Sequence, residues 1–71
     1  MDAHYNVSLI VGKQVDKSDW NETELYGYLR TRLGENEADG AIAEAKAKGS
    51  ATRSIPHALG GTTRIVFSPV A

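Results

Sequence analysis

The chain is predicted to be an α+β domain of order β-α-α-β-β, with a three-stranded sheet covered on one face by a helical hairpin. Three observations carry that expectation: a period-two apolar run near the start, two helix-period segments bounded by capping residues and glycine, and a second period-two region split by paired glycines.

The run His4-Tyr5-Asn6-Val7-Ser8-Leu9-Ile10-Val11 places Tyr5, Val7, Leu9 and Val11 on one face, and Gly12 closes it as a strand. Lys13 to Ser18 reads as a polar connection interrupted only by Val15. Both Asp19-Trp20-Asn21-Glu22 and Asn21-Glu22-Thr23-Glu24 have the capping-box pattern, in which a short polar side chain satisfies a free helix N–H and the glutamate reaches back. The helix that follows carries Trp20, Leu25, Tyr26, Leu29 and Leu33 as its apolar positions. Glu22 and Glu24 at its start and Arg30 and Arg32 at its end complement the macrodipole, and Gly34 is its expected C-cap.

A second helix opens near Asn36 and Asp39 and ends at Gly49, with the stripe Ala38, Ala41, Ile42, Ala45 and a Glu44–Lys48 pair one turn apart. Alanine offers little volume, so this helix must either pack very close or fray. Gly40 lowers its stability by up to about 1 kcal/mol relative to alanine, which favours the marginally held, fraying helix.

From Ser50 the period returns to two. Leu59-Gly60-Gly61-Thr62 reads as a two-residue hairpin turn, and counting outward sets Ile55 opposite Val66, Pro56 opposite Ile65 and Arg53 opposite Ser68. One side then carries Phe67, Ile65 and Thr63 toward the helices. The other carries Arg53, Ile55, His57, Leu59, Arg64 and Val66. Pro56 lacks an N–H and belongs on an edge, which makes the last strand central with the first strand beside it.

Length and composition bound the function. Seventy-one residues allow one compact domain spanning 1–71. Eight basic against nine acidic residues give a net charge of -1, which argues against disorder and against a wholesale polyanion binder. The absence of cysteine excludes disulfides, thiolate metal sites and thiol catalysis. With no apolar run near the roughly 20 residues of a membrane span and no signal-peptide pattern, a soluble cytoplasmic protein without membrane contact is expected. A core this small usually supplies only a few kcal/mol, so self-association as a homodimer is a reasonable expectation and an enclosed active-site cleft is a poor one.

The chemistry-bearing residues point the same way. His4 and His57 lie in different strands without metal-ligand spacing, and no serine sits in a nucleophile elbow. Gly60-Gly61-Thr62-Thr63-Arg64 precedes a strand, not a helix N-terminus, so a hairpin turn explains it better than a phosphate cradle. No catalytic residue, metal or cofactor is implied.

Two surfaces stand out instead. Residues 49–71 hold two arginines and no acid, whereas 13–48 hold eight acids and six bases, so the near-zero total divides into a basic hairpin and an acidic helical layer. By the pairing count Arg53, His57 and Arg64 share a sheet face with Ile55 and Val66, a composition typical of interfaces. Glu24, Tyr28 and Arg32 stack one turn apart on a flank of the first helix, and exposed tyrosine and arginine are enriched in hot spots.

The expected function is therefore a non-enzymatic protein-binding module that inhibits or regulates a larger protein or ribonucleoprotein. In size and style, though in no motif, the chain resembles phage or mobile-element accessory proteins, including inhibitors of host defence such as anti-CRISPR proteins. A small dimeric nucleic-acid-binding regulator using the basic hairpin face is the alternative. It is weakened by the scarcity of aromatic residues available to stack on bases.

Overall fold

The computed structural model describes residues 3–70. The element order is β1 (His4–Val11), β2 (Gln14–Asn21), α1 (Glu22–Leu33), α2 (Glu35–Lys48), β3 (Ala51–Pro56) and β4 (Thr62–Pro69). The four strands form one antiparallel sheet in the order β2-β1-β4-β3. The α+β class, the helical hairpin, the central last strand and the edge position of the proline strand match expectation. The β-α-α-β-β order and the three-stranded sheet do not: a fourth strand, β2, occupies the segment read as a polar connection and as the start of the first helix.

β2 lacks an apolar rhythm because it is an edge strand exposed from Gln14 to Asp19, with only Trp20 and Asn21 partly covered. It forms because Gly12, at φ 60°, occupies the first central position of a two-residue turn that joins Val11 to Gln14. Asp19 is consequently a strand residue and caps nothing. The working box is Asn21 with Glu24: the Glu24 N–H donates to Asn21 Oδ1 at 2.8 Å and the Asn21 N–H to Glu24 Oε1 at 3.1 Å.

One face of the sheet packs on the helices. Tyr5, Val7, Leu25, Leu29, Ile65 and Phe67 are its largest fully buried side chains, and Tyr5 meets Phe67 edge-on at 6.3 Å. Ala38, Ala41 and Ala45 are completely buried, so the alanine stripe is used for close approach. The joint between the helices is a single residue, Gly34, whose φ of 93° and ψ of 164° are essentially restricted to glycine.

The hairpin register also departs from the count. Ile55 pairs with Thr63, not Val66, and Pro56 with Thr62, not Ile65. The loop is wider than two residues: it runs from His57 to Gly61 and is closed by the His57 N–H to the Gly61 carbonyl at 3.0 Å and by the Gly60 N–H to the His57 carbonyl at 3.2 Å. An odd shift moves every side chain of β3 to the other face. Ala51, Arg53 and Ile55 therefore turn toward the helices, and the burial of Ile55 and Ala51 in the core favours this register over one that leaves Ile55 in water.

Candidate interaction face

The opposite face of the sheet carries no helix. Its side chains come from alternate positions of all four strands, and because cross-strand partners share a face the rows can be read across it. Val15, Ile10, Arg64 and Ser54 form one row, and Lys17, Ser8, Val66 and Thr52 the next. Asp19, Asn6 and Ser68 form a third. Asp19 contributes a carboxylate here, and His4 Nδ1 lies 3.3 Å from it. The side chains of Arg64 and Lys17 have no hydrogen-bond or ion-pair partner among the described residues.

This face is most open at the end bearing the β1–β2 turn and the β3–β4 loop. Ile10, Gly12, Ser54, Thr62 and Arg64 line a shallow hollow of about 180 Å³ there. Val15 is half exposed in the same row, and Leu59 is fully exposed at the tip of the adjoining loop. Exposed aliphatic side chains beside an unpaired guanidinium make an apolar patch with one strong, directional hydrogen-bonding cation.

The first group of expected site residues is thus divided. Arg64 and Val66 lie on the open face as anticipated. Arg53, Ile55 and His57 do not join them, because the register shift carries β3 over. Arg53 instead ties β3 to α2, bonding Glu37 at 3.1 Å and Glu44 at 3.2 Å. The Glu44 bond, reinforced by Glu37, raises the guanidinium pKa further above its ordinary value against the opposing effect of burial. Ile55 is a core residue. His57 stands in the loop with its ring on the Thr63 hydroxyl.

The second group, Glu24, Tyr28 and Arg32, is brought together but is already employed. Glu24 serves the capping box. Tyr28 is half-buried against the Trp20 ring at 5.1 Å, and the Arg32 guanidinium lies 3.8 Å above it. These contacts pin the second half of α1 onto the end of the edge strand. Sequence reasoning missed Ile10 and Val15 as surface residues, since Val15 lay in a segment not recognised as a strand.

On the outer side of the helices, Glu22, Thr23, Tyr26, Gly27, Arg30, Asp39, Ile42 and Lys46 line an open groove of about 580 Å³. Its carboxylates are engaged. Glu22 accepts from the buried Tyr5 hydroxyl at 2.7 Å and lies 2.9 Å from Lys46, and both bonds hold its pKa below the ordinary value. Burial, then the charges of Asp39 and Glu35, raises that of Tyr26. Among the described residues no group of three His, Asp or Glu side chains is placed to hold a metal ion, and neither histidine bonds both a hydroxyl and a carboxylate. No helix of the described residues is long and apolar enough to cross a membrane. Compared with protein-family models, curated proteins and solved structures, the chain matches none.

Proposed function

We propose that this protein is a small non-enzymatic binding module that acts in the cytoplasm, inhibiting or regulating a larger protein by covering part of its surface. The contact is the loop end of the open sheet face: Ile10, Val15 and Val66 supply apolar area, Arg64 the central cation, and Leu59 an anchor from the adjoining loop. One observation carries the reading. A whole face of a four-stranded sheet is left without a covering layer, and its loop end combines aliphatic side chains with an arginine whose side chain has no partner among the described residues.

The partner this composition suits is a protein surface with a carboxylate beside an apolar depression. Nucleic acid suits it less, because Tyr5 and Phe67 are in the core and Trp20, Tyr26 and Tyr28 lie with the helices, leaving no aromatic side chain on the open face to stack on bases. Steric occlusion of a larger enzyme by a compact domain is also how an anti-defence accessory protein of the anti-CRISPR type would act, and the reading accommodates that role.

Capture from a lysate of the source organism tests it. The wild-type chain should retain a stoichiometric protein that Arg64→Glu and Val15→Asp lose and Arg30→Glu, on the helical groove, keeps. Retention by all the variants, or a nuclease-sensitive eluate, would reject it.

A further inference from the structure

We propose that β2 is a self-association edge: two copies pair antiparallel through β2 about a two-fold axis at Ser18, joining their sheets into one. The pairing uses the backbone edge of β2 and shares only Val15 with the proposed partner contact. It rests on hydrogen-bond parity and charge.

The sheet order leaves two edges, β2 and β3. β3 has six residues, ends in Pro56 and is tied to α2 through Arg53. β2 has eight residues, Gln14–Asn21, with neither proline nor glycine. The two-residue turn at Gly12 and Lys13 makes Val11 and Gln14 the hydrogen-bonded pair that closes the hairpin. Bonded and non-bonded pairs alternate along an antiparallel ladder, so Gln14, Asp16, Ser18 and Trp20 direct their backbone groups at β1. Val15, Lys17, Asp19 and Asn21 direct theirs outward, and the same four residues carry their side chains on the open face.

A two-fold pair must set outward-directed residues against outward-directed residues, which restricts the register to a few choices. Centring on Lys17 places that lysine against its own copy. Centring on Asp19 or on Asp16 opposes a carboxylate to itself, and like charges directly opposite destabilise a sheet. Centring on Ser18 sets Lys17 against the partner's Asp19 and Asp19 against the partner's Lys17. It also sets Asp16 against the partner's Trp20, whose indole N–H is a donor. Asp19 keeps an oxygen for this pairing, since His4 approaches only one. A mid-edge lysine ordinarily blocks adventitious pairing. Here it permits one register while excluding its neighbours. The gain matters to a chain of 71 residues without cysteine, whose core holds little apolar area to spare.

The test is the molar mass of the full chain by sedimentation and light scattering from micromolar to millimolar concentration, with the emission of its single tryptophan, Trp20, followed on dilution. A reversible dimer is expected. Lys17→Asp and Asp19→Lys should each weaken it about tenfold or more, and the double exchange Lys17→Asp/Asp19→Lys should restore it, because each pair is merely reversed. Lys17→Pro, which removes an outward-directed N–H, should abolish it while leaving the monomer folded. Arg64→Glu should leave it unchanged, which separates this claim from the partner-binding one. A monomer at all concentrations, or a double exchange that associates no better than either single variant, would overturn the proposal.

Discussion

Tyr5→Phe removes one oxygen from a fully buried ring and leaves the edge-on contact with Phe67 in place. The phenol donates to Glu22 Oε1 at 2.7 Å, the same oxygen that Lys46 approaches at 2.9 Å. A hydrogen bond to a charged group contributes about 1.5–3 kcal/mol. Water can replace part of this one, because the Glu22 side chain is 34% exposed, so the loss should fall near the lower end, about 1.5 kcal/mol. In a domain of this size that lowers the thermal midpoint by about 6–12 °C.

The pH dependence has a defined sign at both ends. The Tyr5 bond first, and Lys46 second, hold the Glu22 carboxyl below its ordinary value of 4.5, so the contribution is complete above that pH and is lost as pH falls through the folded-state value. The gap between wild type and variant should therefore narrow in acid. Burial first, and Glu22 second, push the Tyr5 phenol from 10.0 up to about 12, so wild type should also lose stability between those values while the variant, lacking the phenol, does not. Urea unfolding followed by Trp20 emission at pH 7 and pH 3, with thermal unfolding in alkali, measures each limb. An unchanged midpoint at pH 7, or a gap that widens in acid, would rule out a stabilising Tyr5–Glu22 bond.

Two glycine substitutions should move stability in opposite directions. Gly27 is helical and exposed with nothing within 4 Å of an added Cβ, so Gly27→Ala should stabilise by about 0.5–1 kcal/mol in urea unfolding. Gly34→Ala, at φ 93°, should destabilise by about 1–3 kcal/mol by the same measure. Arg53→Ala should cost about 1 kcal/mol at low ionic strength, with the cost shrinking in high salt because Glu37 is largely exposed. Comparison of urea midpoints at two salt concentrations checks it.

The parts of the fold legible in the sequence were those in which one physical signal dominates. β1 alternates because one face is buried, α1 starts where a reciprocal cap satisfies its first N–H groups, and α2 ends at Gly49, whose φ of 90° suits a left-handed cap. β2 was hidden because an edge strand exposed on both faces has no alternation to display. Its readable signal was the Gly12-Lys13 turn directly after a strand, with Asp16, Lys17 and Asp19 as the charges that edge strands carry.

The candidate face was half legible. The burial of Ile65 and Phe67 fixed the face of β4, which placed Arg64 and Val66 correctly. The face of β3 depended on loop length, and paired glycines support a wide loop as readily as a tight turn. That single ambiguity moved Arg53, Ile55 and His57 to the wrong side.

The proposed contact with the partner is the open sheet face, through Arg64 and its aliphatic neighbours. The direct measurement is the affinity of the captured partner for wild type, Arg64→Glu and Arg30→Glu, with the fold of each variant verified by its urea midpoint. A loss of about tenfold or more is expected for Arg64→Glu and none for Arg30→Glu. Unchanged affinity for Arg64→Glu together with loss for Arg30→Glu would contradict it and move the contact to the helical groove.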